Sequence, residues 1–229
     1  MRAMLLAAGR GERMRPLTDT TPKPLLEAGG KALIVHLIER LVKAGLVEVV
    51  INHAYLGDRV EAALGEGYAL GARIRYSPEP PDALETGGGI ANALPLLGPE
   101  PFLVVNADIW TDYPFRRVPR NPQGLAHLVL VDNPPHHSQG DFALREGVVA
   151  ENGDTRLTFS GIGVYRPELF EGQHARRFPL APLIRRAAAQ GRVSGEHYGG
   201  QWMDIGTPAR LGELDRYLRH AGTGVRCGR

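Results

Sequence analysis

The chain has 229 residues and a single cysteine, Cys227, close to the C-terminus. One thiol excludes an internal disulfide framework and fits a reducing compartment. Cys227 is expected to be an idle thiol on a frayed tail. Lysine is almost as scarce: only Lys23, Lys31 and Lys43 occur, and arginine supplies the other basic side chains. The formal net charge is only +2, so a general nucleic-acid binder is not indicated. Long hydrophobic runs are also missing. No stretch approaches the roughly 18 apolar residues of a membrane span. The opening run, Met1-Arg2-Ala3-Met4-Leu5-Leu6-Ala7-Ala8-Gly9, is too short and too early interrupted for a signal peptide. The expectation is a soluble, cytoplasmic chain with no membrane and no nucleic-acid partner.

What is present is ordinary globular composition with strong local punctuation. Hydrophobic residues make up 43 %, enough for the core of one α/β domain. No repeat or low-complexity linker divides the chain, so residues 1–229 are expected to form a single domain. Residues 3–8 are a short apolar run ending in glycine, which reads as a buried parallel strand. A loop over 9–29 follows. Residues 32–44 place Leu33, Ile34, Leu37, Ile38 and Leu41 at helical spacing, with Gly45 as the stop. Further strands are expected at 47–52, 72–76 and 102–105, and helices at 57–64 and 86–97. This alternation predicts an α/β fold: a three-layer, mostly parallel, Rossmann-like sheet covered on both faces. Ligands in such sheets bind beyond the carboxyl ends of the strands. Segments 9–15, 85–89 and 106–108 sit at such ends and are expected to converge.

The second half is less regular. Strands are expected at 125–131, 156–165, 193–198 and 201–203, and a helix at 180–190. Pro208 suits the first turn of a terminal helix. The polar loop 134–141 carries His136 and His137. Adjacent residues cannot share one strand face, so these read as solvated histidines and not as a metal pair. His197 reads as structural or as a neighbour of a ligand pocket.

The most informative string is Leu6-Ala7-Ala8-Gly9-Arg10-Gly11-Glu12-Arg13-Met14-Arg15-Pro16-Leu17-Thr18, followed by Pro22-Lys23-Pro24-Leu25. Glycines after a strand let backbone amides approach a phosphate. Arg13 and Lys23 can neutralise a polyphosphate, one as a fork and one as a point charge. Met14 breaks the G-x-G-x-x-G dinucleotide pattern, and no G-x-x-x-x-G-K-[ST] Walker loop occurs. Asp108 follows a buried strand, where it is either a metal-binding carboxylate or a turn residue. Asp204, in Trp202-Met203-Asp204-Ile205-Gly206-Thr207, leaves the same alternatives open. Two carboxylates with phosphate oxygens and water make a usual Mg²⁺ site. Glu85-Thr86-Gly87-Gly88-Gly89 reads as a surface for a flat base, against the alternative of a plain helix start. Asp141 and Glu151 are candidates for accepting hydrogen bonds from sugar hydroxyls, with a solvated surface acid as the other reading of Glu151.

These motifs resemble the sugar-phosphate nucleotidyltransferases, or NDP-sugar pyrophosphorylases. The likeness is carried by the N-terminal string and by Leu84-Glu85-Thr86-Gly87-Gly88-Gly89-Ile90, Asn106-Ala107-Asp108-Ile109-Trp110, Gly140-Asp141-Phe142, Thr158-Phe159-Ser160-Gly161-Ile162 and Asp204-Ile205-Gly206-Thr207. The chain is most similar to the branch of N-acetylmuramate α-1-phosphate uridylyltransferases of peptidoglycan recycling. The resemblance implies a nucleotide-binding half, 1–110, and a sugar-binding half, 111–229. It implies that UTP and a sugar 1-phosphate react by in-line displacement, releasing pyrophosphate. Arg13 and Lys23 would be catalytic. Ala8, Gly9, Gly11, Glu12, Arg13, Lys23, Thr86, Gly87 and Gly88 would bind the nucleotide. Asn106, Asp141, Glu151 and Gly161 would bind the sugar. Asp108 and Asp204 would hold Mg²⁺. Many relatives use a second lysine on the sugar phosphate, and this chain has none after Lys43. An arginine, the metal or Lys23 must take that part. A hexose 1-phosphate paired with another nucleotide is the alternative substrate set. A non-catalytic binding module is the alternative class, and the presence of Arg13, Lys23, Asp108 and Asp204 argues against it. The chain lacks the C-terminal assembly elements of larger relatives, so a monomer is expected.

Overall fold

A computed structural model describes residues 1–153 and 155–223; Cys227 lies outside them. The first half runs β1 (Ala3–Leu6), β2 (Glu27–Ala28), β3 (Lys31–Ala32), α1 (Leu33–Lys43), β4 (Glu48–His53), α2 (Gly57–Leu64), β5 (Arg73–Pro78), α3 (Glu85–Leu97), β6 (Phe102–Asn106) and β7 (Ile109–Thr111). The second runs β8 (Ala126–Val131), β9 (Phe142–Arg145), β10 (Val148–Ala150), β11 (Arg156–Tyr165), α4 (Ala181–Ala189), β12 (Val193–His197), β13 (Trp202–Asp204) and α5 (Pro208–Thr223).

Alternation in the strands explains the layers. In β1, Ala3 and Leu5 join the apolar cluster containing Ile34, Leu37, Ile38 and Leu41 of α1 and Val60 of α2. Met4, between them, joins the cluster containing Ile90, Ala93 and Leu97 of α3 and Leu183, Ile184, Ala187 and Ala188 of α4. Successive side chains of a strand point to opposite faces, so one strand serves two helical layers. This is the expected three-layer α/β fold.

The sheet departs from the expected parallel pattern in its second half. The order is β5-β4-β1-β6-β11-β8-β12-β10-β9. From β5 to β6 all neighbours are parallel. β11 then inserts antiparallel to both β6 and β8, and β9 and β10 add antiparallel pairs. β12 returns parallel to β8. The sheet is therefore mixed, yet continuous across the junction near residue 110.

Two smaller features shape the ligand side. The 9–29 segment is not a plain loop: it holds 3₁₀ turns at Glu12–Met14, Leu17–Asp19 and Lys23–Leu25. Met14, Leu26, Ala28, Leu33, Trp110, Ile205 and Leu214 form a third cluster, which ties this segment to α5. Gly29 N donates to Asp215 Oδ1 at 2.8 Å at the same contact. Among the described residues, no helix is long and apolar enough to cross a membrane.

Candidate active site

The strand ends open into a cleft of about 670 Å³, lined by residues 6–14, Lys23, Asn52, Tyr55, 81–83, Glu85, Thr86, 106–108, Arg177 and Gly206. The three segments expected to converge do so, with one difference. Glu85 and Thr86 reach the cleft, whereas Gly87 and Gly88 do not.

Gly11 has φ +67, and a Cβ there would stand 3.1 Å from both Lys23 Cβ and Thr18 Cγ2. Left-handed backbone and this tight approach both select glycine. Thr18 Oγ1 donates to Gly11 O at 2.8 Å, and Met14 N to the same carbonyl at 2.9 Å. The 3₁₀ turn so fixed leaves Glu12 and Arg13 exposed on the cleft side while Met14 is buried. Gly9, also at the rim, has nothing within 4 Å of an added Cβ. Lys23 is buried and reaches Asp108, Nζ to Oδ2, at 2.5 Å.

β13 pairs antiparallel with β7 and places Asp204 opposite Ile109, the residue after Asp108; unlike Asp108, Asp204 lines neither cleft. Ile205 N also donates to Asp108 O at 2.7 Å. Asp204 is gripped by Arg210, and His136 Nε2 lies 3.0 Å from its other oxygen. A Cβ at Gly206 would meet Arg210 Nη2 at 2.7 Å and Arg13 Nη2 at 3.2 Å. Two guanidinium groups thus close over that glycine, at the wall of the cleft. Each candidate metal-binding acid faces a cation within the protein, Lys23 for Asp108 and Arg210 for Asp204.

Asn52 lies one residue before the end of β4, and Asn106 ends β6. Asn52 Oδ1 accepts from Ala7 N at 2.8 Å, and its Nδ2 donates to Glu79 Oε1 at 2.6 Å. Glu79 Oε2 accepts from Leu84 N at 2.7 Å. This chain of bonds holds the 79–85 lip, where Ala83 and Glu85 both adopt positive φ. Such conformations persist in non-glycine residues only when surroundings over-determine them.

The three glycines after Thr86 answer to packing. A Cβ on Gly87 would fall 2.4 Å from Phe178, on Gly88 1.9 Å from Arg176 O, and on Gly89 2.5 Å from Glu79 Oε1. The amides of Gly87 and Gly88 both donate to Phe178 O, at 3.0 and 3.1 Å. Donors already occupied in this way are not free to read a base. The sequence offered no sign of this, because the partner segment lies some ninety residues downstream.

A smaller cleft, about 180 Å³, shares Leu6, Thr86 and Asn106 with the first. Asp141 and Gly161, the candidate sugar contacts, line it. Asp141 accepts from Phe159 N at 2.8 Å and from His137 Nε2 at 3.0 Å. Gly161, φ +80, lies where a Cβ would strike Asn106 Nδ2 at 2.7 Å, so it seats the Asn106 side chain. Glu151 lines neither cleft; it is exposed and pairs with Arg185 at 3.5 Å. The histidines differ from expectation too. His136 and His137 are partly exposed, but each contacts a candidate acid. His197 pairs with Asp132 at 2.9 Å, away from both clefts.

Sequence reading missed Asn52, Glu79, Arg177, Arg185 and Arg210. Asn52 was detectable by the rule that picked out Asn106, a polar residue closing an apolar parallel strand. The arginines gave no signal in an arginine-rich chain. The perturbed ionisations lie elsewhere. Burial and Asp112 push the Tyr198 hydroxyl up to about 12. Burial and a bond to Glu196 raise Tyr113, and burial lowers His127.

The nucleotidyl transferase family model matches residues 2–158. The chain is 56 % identical to N-acetylmuramate alpha-1-phosphate uridylyltransferase of Neisseria meningitidis, over 93 % of this chain and 96 % of that one. It is 40 % identical to the enzyme of the same name from Caulobacter vibrioides, over 90 % and 92 %. A Bacillus anthracis protein described as a glucose-1-phosphate thymidylyltransferase, solved with sucrose, superposes with a TM-score of 0.84 over 100 % of this chain and 98 % of that one, at 20 % identity; it shows the fold alone. The chain belongs to the nucleotidyl transferase family.

Proposed function

We propose that this enzyme transfers the uridylyl group of UTP to N-acetylmuramate α-1-phosphate. A phosphate oxygen of the sugar 1-phosphate attacks the α-phosphorus of UTP, the bond to the β-phosphate oxygen breaks, and pyrophosphate leaves. The observation carrying this reading is the shared wall of the two clefts. Thr86 and Asn106 border both, so a nucleotide in the larger and a sugar in the smaller would meet at the Lys23–Asp108 pair. The 56 % identity to the Neisseria enzyme supports the choice of base and sugar.

The attacking phosphate is already anionic, so no strong general base is needed, and positioning with charge neutralisation can carry the rate. Ala8, Gly9, Gly11 and Glu12 present the turn that receives the triphosphate. Arg13 neutralises charge on its α- and β-phosphates. Lys23 has three donors, enough to bond Asp108 and an α-phosphate oxygen together or to bridge both substrates. Thr86 borders the base, with Gly87 and Gly88 acting through the packing that positions it. Asn106, Asp141 and Gly161 shape the sugar side. Asp108 and Asp204 suit a hard divalent cation, Mg²⁺: both are carboxylates, one just before β7 and one on the strand paired with it, and each is now satisfied by a cation. Bound there, it would supply charge stabilisation to the transferring phosphate. Arg210, beside Arg13, fills part of the role of the missing second lysine.

A pyrophosphate-release assay over four nucleoside triphosphates and several sugar 1-phosphates tests the reading. UTP with the muramate phosphate should give the highest kcat/KM. A higher value for a hexose 1-phosphate, or for another base, would replace the substrate set; no release with any pair would favour a binding module.

A further inference from the structure

We propose that Arg185 recognises the carboxylate of an acidic sugar 1-phosphate, the lactyl carboxylate of the muramate ring, and that Glu151 is its resting counterion. This rests on the transferase reading above.

The smaller cleft has a mainly apolar wall, including Phe142, Phe159, Tyr165 and Ile184. Among the described residues only two charged side chains line it, Asp141 and Arg185. A carboxylate entering this space must find a cation, because an unpaired buried charge is prohibitively costly. Asp141 cannot serve. It carries the same charge, and its two oxygens already accept from Phe159 N and His137. It suits the hydroxyl side of a sugar, which leaves the acidic substituent to Arg185.

Arg185 is also held in a way that suits exchange. Its helix, α4, buries Leu183, Ile184, Ala187 and Ala188, so the backbone is fixed. The start of that helix is tied to the shared wall, where Leu180 N donates to Thr86 Oγ1 at 3.1 Å. The guanidinium is half exposed and comes no closer to Glu151 than 3.5 Å, at Nε. An exposed pair of that length stabilises little. Replacing one carboxylate by another therefore costs little, and an arginine fork can take the newcomer through two parallel bonds. Glu151, outside the lining, keeps the guanidinium satisfied until the substrate arrives.

The test compares N-acetylmuramate 1-phosphate with N-acetylglucosamine 1-phosphate, which lacks the lactyl ether. In Arg185→Gln the preference for the muramate over the glucosamine substrate should collapse by about a hundredfold, as expected for losing a charged partner. The loss should appear in the KM for the sugar phosphate, not in the KM for UTP. Arg185→Lys should recover part of the preference. Equal losses on both sugars, or an unchanged preference, would overturn the assignment. If Arg185→Gln does not fold, wild-type enzyme given the lactyl amide in place of the lactyl acid decides the matter. It should prefer the acid at least about tenfold, and equal rates overturn the proposal. A wild-type enzyme that ignores the muramate altogether removes the muramate substrate assignment first, and this inference with it.

Discussion

Each candidate metal-binding acid is matched by a cation in contact, Lys23 on Asp108 at 2.5 Å in the larger cleft and Arg210 on Asp204 behind its wall. At the sugar end, Asp141 is fixed by a backbone amide and a histidine, while Arg185 is tethered loosely to Glu151. The first arrangement places charge where any nucleoside triphosphate and sugar 1-phosphate must react. The second leaves one cation able to change partners, where substrates differ. On the proposed reading, the tight pairs serve the chemistry and the loose one the selection of the sugar.

The largest effects should come from the tight pairs. Asp108→Asn should lower turnover by about a thousandfold, the upper end for losing one preorganised charge contact; a full rate at saturating Mg²⁺ would break the assignment. Arg13→Ala should cost turnover about a hundred- to a thousandfold. Because Arg13 is exposed, its unfolding free energy should stay within about 0.5 kcal/mol of wild type. Near-normal turnover would mean the loop binds without neutralising.

Next come the glycines, which separate packing from ligand contact. Gly88→Ala drives a Cβ to 1.9 Å from Arg176 O and should destabilise the protein by about 2–4 kcal/mol. Gly9→Ala meets nothing within 4 Å and should leave stability within about 0.5 kcal/mol. Denaturant melts of both variants sharpen the contrast. A stable Gly88→Ala that loses only UTP affinity would restore the base-contact reading.

The smallest effect is a pH dependence. Burial lowers the His127 pKa, with Glu196 opposing, and its Nε2 has no hydrogen-bond partner among the described residues. The folded state therefore favours the neutral ring more than the unfolded state does. Stability should be full above the unfolded value near 6.5 and fall as the pH drops below it. Unfolding curves across that window should decline less steeply for His127→Gln; an equally steep decline would assign the loss to other groups.

Much of this was legible in the sequence. The run 3–8, the helical spacing in 32–44 and the Gly11–Arg13–Lys23 string encode local structure and charge directly. Asp141 and Gly161 were singled out through the motifs around them, and both line the smaller cleft. The mixed half was less legible because strand order is not written in local periodicity. β7, β9 and β10 have only three or four residues each, too few to show alternation. Gly87 and Gly88 were ambiguous for another reason. A small residue accommodates a ligand and a neighbouring backbone equally well, and only the fold brings Arg176 and Phe178 against them. Glu151 reads as a sugar contact by its residue type, whereas its partner is Arg185, a pairing across distant elements that no local pattern announces.

The stereochemistry at the α-phosphorus tests the claim that this cleft works by position and charge, without a protein nucleophile. Turnover of UTP made chiral by α-sulfur substitution, with the muramate 1-phosphate as acceptor, should invert configuration through one direct displacement. Retention would require a covalent nucleotidyl-enzyme and would contradict the purely electrostatic roles of Arg13, Lys23 and Asp108.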